Sequence, residues 1–148
     1  MKEKTQGGFL ISQIKQISGR IFDKLLVGSG IEAFNRAQGR ILYVLWQADG
    51  VPIVELSHRT GLAKTTLTSM LDRMESADLI MRVFDKSDRR QIRIALTEKS
   101  RQLSDAYDKV SREMNEIFYA GFTDDEIFAF EETLGRILKN LTEKERRT

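Results

Sequence analysis

The sequence predicts a mainly α fold with a small β-hairpin wing, and three observations carry that expectation. Apolar residues recur at helical spacing in five separate stretches of the 148 residues. Two segments, about 79–84 and 91–96, instead alternate with the period of a strand. Between those two lies Asp85-Lys86-Ser87-Asp88-Arg89-Arg90, a tip without a single apolar side chain.

Taken in order, the first helix spans Phe9 to Val27, with Leu10, Ile14, Ile17, Ile21 and Leu25 on one stripe. Gly28-Ser29-Gly30 breaks it. Asn35 is placed to cap a second helix and Gln38 to reach back, a variant of the capping box. Ile41, Leu42, Leu45 and Trp46 form the buried face of that helix, which ends near Asp49-Gly50, where glycine supplies the left-handed conformation favoured at a C-terminus. Val51-Pro52-Ile53 is too short for a helix and holds the only proline, so it reads as a short edge strand. Two short helices follow, about 54–60 and 64–76, parted by Gly61-Leu62. In the second β segment Ile92, Ile94 and Leu96 share one face and Arg93 and Ala95 the other. Thr97 is expected to cap one long helix whose seam is Leu103, Tyr107, Val110, Met114, Ile117 and Gly121. Thr123 to Glu126 is a full capping box for a last helix striped by Ile127, Phe130, Leu134, Ile137 and Leu141.

Composition narrows the function classes. Charged residues make up 31% and hydrophobic residues 41%, the mix of an ordinary globular protein. No apolar run approaches the roughly 20 residues of a membrane helix, and no signal-peptide pattern stands at the N-terminus. A cytoplasmic protein without a membrane partner is expected. Cysteine is absent, which removes disulfides and thiolate metal sites, and the single histidine, His58, makes a zinc cluster improbable. His58 has no partner at a useful spacing, and neither a nucleophile–base pair nor a phosphate-binding loop is present. The expectation is no enzyme, no metal and no cofactor.

The short helices have the parts of a helix-turn-helix. Ser57 is the small residue at their approach, Gly61 makes the turn, and Leu56, Leu62, Leu67 and Met70 lock the pair. Leu67, Met70, Leu71 and Met74 turn inward at i, i+3, i+4 and i+7. Lys64, Thr65, Thr66, Thr68, Ser69, Asp72 and Arg73 are then left outside. Short hydroxyls crowd the end of the helix that enters a major groove, and Lys64 or Arg73 can take a guanine or a phosphate. The hairpin sets Arg82, Lys86, Arg89, Arg90 and Arg93 against Asp85 and Asp88. An arginine at a narrow tip suits a minor groove, and Asp88 is spaced to orient Arg90 through a bidentate pair. Each part has a bland reading: a hydroxyl-rich face is often only solvated, and a basic tip often serves solubility. Their order within one short stretch is what no bland reading predicts.

The stretch from Val51 to Arg101 resembles the winged helix of the MarR (multiple antibiotic resistance regulator) family of bacterial transcription factors. Asp88-Arg89-Arg90 running through Ile92, Ile94 and Leu96 to Thr97-Glu98 is similar to the family's D-x-R wing and L-T-E helix start, and Lys64 to Glu75 matches its recognition-helix register. The resemblance implies that Asp88 braces the wing and that Arg90 enters the minor groove. Three positions depart from the pattern: Ala63 replaces the usual N-cap, and Asp78 and Ser100 stand where the family has glycine.

The organisation expected is a single domain over 1–148, with a winged helix-turn-helix at about 36–97 flanked by N- and C-terminal dimerisation helices at about 8–28 and 98–142. The striped terminal helices exceed what a winged helix needs for its own core, and a second copy would bury them. The function expected is a homodimeric regulator, a repressor of transcription, binding double-stranded DNA at a pseudo-palindromic operator through Lys64, Thr65, Thr66, Thr68, Ser69, Arg73, Lys86, Arg89 and Arg90. The resemblance also implies a small aromatic or anionic effector; Phe22, Tyr43 and Trp46 are the candidate pocket residues, which core packing explains equally well. The alternative is a dimeric winged-helix protein-interaction scaffold without operator recognition.

Overall fold

Side-chain caps set the helix starts that the sequence marks. In the computed structural model, which describes residues 4–147, the Asn35 side chain accepts from the Gln38 amide at 2.8 Å while the Gln38 side chain accepts from the Asn35 amide at 3.1 Å. The same reciprocal box joins Thr97 to Ser100 and Thr123 to Glu126. The chain divides into two compact units, Met1–Met114 and Asn115–Thr148.

The first unit opens with α1 (Gly7–Gly28) and α2 (Arg36–Gln47), followed by β1 (Val51–Pro52), α3 (Ile53–Thr60) and α4 (Lys64–Ser76). The hairpin β2 (Ile80–Phe84) and β3 (Ile92–Leu96) comes next, then α5 (Glu98–Arg101) and the start of α6 (Ser104–Phe118). The three strands form one antiparallel sheet in the order β1-β3-β2, with Val51 opposite Ile94 and Arg82 also opposite Ile94 from the other side. Ile41, Leu42 and Leu45 of α2, Leu56 of α3, Leu67, Leu71 and Met74 of α4 and Ile94 of β3 are fully buried. Each such side chain contributes about 1.5–3 kcal/mol, and together they fix α4 against the sheet. Gly39 lets α2 come close to this core: a Cβ there would lie 2.9 Å from the Tyr107 ring and 3.2 Å from that of Phe34.

Two expectations are corrected. Gly50, at φ +73°, is not the helix cap of α2; Ala48 is, and Gly50 makes the turn into β1. The long helix expected from Thr97 is broken at Gln102–Leu103. The Ser100 carbonyl, which a continuous helix would offer to the amide of Ser104, accepts instead from the Trp46 indole at 3.0 Å and from the Leu103 amide at 3.1 Å. That pairing tightens the turn and starts α6 afresh.

In the second unit, Gly121 at φ +85° lies between the end of α6 and α7 (Asp124–Arg147). Tyr119 donates to Glu131 at 2.7 Å and stacks edge-on with Phe118, Phe122 and Phe130. Partial burial, with that hydrogen bond, pushes the Tyr119 phenol up to about 12. No residue of α7 is buried.

Candidate nucleic-acid interface

The turn between α3 and α4 is held by its own side chains. Ser57 Oγ donates to the Leu62 carbonyl at 2.6 Å, Thr60 Oγ1 accepts from the Leu62 amide at 3.2 Å, and Gly61 takes φ +76°. A side chain at Gly61 would be strained there, which is the physical reason for glycine at that point. With Leu67, Leu71 and Met74 turned inward, Lys64, Thr65, Thr66, Thr68, Ser69 and Arg73 are all exposed on one face of α4. Ala63 has the extended backbone of an N-cap but offers no side-chain acceptor, so the first amides of α4 are left open at that exposed end. Asp78 adopts the left-handed φ of +61° that its place after α4 requires, and its carbonyl accepts from Thr97 Oγ1 at 2.7 Å. Ser100, the third departure, is fully buried and completes the Thr97 cap.

At the wing, Asp88 Oδ1 accepts from Arg90 Nε at 3.2 Å and from the Arg90 amide at 3.1 Å. The pairing is through one carboxylate oxygen, not the bidentate fork expected, because the other donor is backbone two residues on. Asp88 therefore holds the turn as well as the guanidinium. Arg90 remains 92% exposed. Arg89 and Lys86 are also exposed and form no ion pair among the described residues.

The main brace of the wing is a residue that sequence reasoning missed. Asp85 is only 9% exposed and accepts from the Ser87 hydroxyl at 2.6 Å, the Ser87 amide at 2.8 Å and Arg93 Nε at 2.6 Å. The hydrogen bonds from Ser87 first and Arg93 next hold its carboxyl well below the usual carboxylate range. Arg93 in turn donates to the Gly50 carbonyl at 2.8 Å, tying the wing to the turn before β1. The signal available was Asp85-x-Ser87, the spacing of a side chain that closes its own turn. Arg82, counted with the wing cations, bridges Asp72 at 2.8 Å and Glu75 at 2.6 Å on α4. No sequence spacing marks that pair, since the turn between α4 and β2 folds Arg82 back on the helix.

Phe22, Tyr43 and Trp46 gather around Tyr107, with ring centroids 5.7, 6.3 and 5.1 Å from it. Phe34 joins them at 5.9 Å. Burial pushes the Tyr107 phenol up. His58 is exposed on α3.

The MarR family model matches residues 34–92, from the residue before the cap of α2 to the start of β3. The HTH-type transcriptional regulator YsmB of Bacillus subtilis (strain 168) is 35% identical over 101 residues, 68% of each chain. The chain belongs to the MarR family. It is a transcriptional regulator whose winged helix is the part just described. Among solved structures, a mutant MarR from E. coli complexed with operator DNA is similar with a TM-score of 0.78 and 25% identity, over 88% of this chain and 92% of that one. CouR from Rhodococcus jostii RHA1, bound to p-coumaroyl-CoA, is similar with a TM-score of 0.76 and 27% identity, over 88% and 90%. Among the described residues no helix is long and apolar enough to cross a membrane.

Proposed function

We propose that this MarR-family chain is a repressor that binds a pseudo-palindromic operator as a homodimer. The observation that carries the DNA reading is the pairing of two exposed elements on one braced frame. The hydroxyl-rich start of α4 is open, and the hairpin tip presents Lys86 and Arg89 outside any ion pair among the described residues and Arg90 92% exposed beside Asp88, while Arg82 and Arg93 are engaged in bracing the wing. Lys64, Thr65, Thr66, Thr68, Ser69 and Arg73 are assigned to the major groove, Arg90 to the minor groove with Asp88 orienting it, and Lys86 and Arg89 to phosphates. The open amides at Ala63 would favour a phosphate at the α4 N-terminus.

The homodimer is supported by exposed apolar residues on a helix of each unit. Phe9, Leu10, Ile14 and Ile17 of α1 are exposed, as are Phe128, Ile137, Leu138 and Leu141 of α7. A two-fold pair would set the recognition helices about one DNA turn, roughly 34 Å, apart. Release by a small aromatic or anionic effector is supported by the likeness to CouR, and the aromatic group of Phe22, Tyr43 and Trp46 around Tyr107 is where it would be sought.

Selection of bound duplexes from a random pool tests this function. A recovered inverted repeat, bound more weakly as salt rises because counterions are released from several phosphates, is the expected result. Recovery of no sequence preference, or affinity insensitive to salt, would favour a protein-interaction scaffold instead.

A further inference from the structure

We propose that Arg82 is a positioning residue that sets the wing against the recognition helix, so that Arg90 and the hydroxyl face of α4 address one duplex together; this rests on the DNA reading above. Arg82 is the third residue of β2. Its Nη2 donates to Asp72 at 2.8 Å and its Nη1 to Glu75 at 2.6 Å. Those carboxylates stand three residues apart on α4, neighbours on one helix face. A planar guanidinium held at both nitrogens fixes a direction as well as a distance, which a lysine ammonium cannot do.

The position of this bridge along the hairpin gives it leverage. Ile80, at the start of β2, is buried, whereas Met81, Val83 and Phe84 are exposed. Apolar anchorage of β2 therefore ends at Ile80, and Arg82 carries the link to α4 two residues further toward the tip. Its side chain is 22% exposed against 92% for Arg90, so this guanidinium is held closer to the fold even though its partners Asp72 and Glu75 face solvent. The simpler alternative is that Arg82 only neutralises two carboxylates that would repel DNA.

Affinity of the full chain for a duplex recovered by random-pool selection decides between them. Arg90→Ala is expected to lose about tenfold or more in the parent chain. In an Arg82→Met background the same change is expected to lose about threefold or less, since a wing no longer held in register gains little from Arg90. Arg82→Lys keeps one bridge and is expected to restore part of the difference. Losses that simply multiply overturn the proposal. A second arm leaves Arg82 intact: Asp72→Asn with Glu75→Gln makes the surface more positive while removing both charged partners. Weaker binding and the same reduced Arg90→Ala loss support positioning. Tighter binding with the Arg90→Ala loss undiminished overturns it, and this arm decides the matter if Arg82→Met does not fold. An Arg90→Ala change without effect in the parent overturns the DNA reading itself and the proposal with it.

Discussion

At the scale of single residues, the wing is governed by a carboxylate that touches no DNA in the assigned contacts. Asp85 has a folded pKa depressed by Ser87 and Arg93. Its hydrogen bonds therefore stabilise the wing fully above the ordinary carboxylate value of about 3.9. They are lost as pH falls from there through the lower folded value. Amide protection in residues 85–91, taken as the exchange rate relative to an unstructured chain at the same pH, is expected to fall on acidification over that range. In Asp85→Asn that protection is expected to be low already at neutral pH and to change little with acid; identical protection profiles in the two proteins would contradict the role given to Asp85. Gly39 makes a second residue-scale case. A methyl group placed 2.9 Å from the Tyr107 ring must push a packed aromatic aside. Gly39→Ala is expected to cost about 1–3 kcal/mol of unfolding free energy, measured by denaturant titration, although alanine is the better helix former.

Elements respond to capping. Helix α4 begins after Ala63, an N-cap without a side-chain acceptor, whereas α2 and α5 have complete boxes. Ala63→Ser is expected to raise stability by about 1 kcal/mol. A thermal or denaturant midpoint that does not move would show that another group already satisfies those amides. Most of this level was legible in the sequence. The caps at Asn35, Thr97 and Thr123, the short helices about Gly61 and the alternation through Ile92, Ile94 and Leu96 all follow from local rules, and the structure has them. The break at Gln102–Leu103 was not legible, because its cause is an indole from α2 taking the Ser100 carbonyl. The candidate site divides in the same way. Exposure of the α4 hydroxyls follows from helical period alone. The braces formed by Arg82 and Arg93 join residues ten and forty-three positions from their partners Asp72 and Gly50, which no local pattern records.

For the whole molecule, assembly turns on the exposed apolar residues of α1 in the first unit and of α7 in the second. Burial against a second copy would stabilise by about 25 cal/mol per Å² of apolar surface, before the costs of association. Sedimentation at micromolar concentration is expected to give a dimer, and Ile14→Glu with Leu138→Glu is expected to shift it to monomer. A stable monomer of the unaltered chain would contradict the assembly on which a palindromic site depends. The claim that joins all three scales is that Arg90, carried on a braced wing, reads DNA beside α4. Affinity of the Arg90→Ala chain for the selected duplex tests it most directly. A loss of about tenfold or more, with the melting temperature unchanged, is the expected result; unchanged affinity in a folded protein would contradict it.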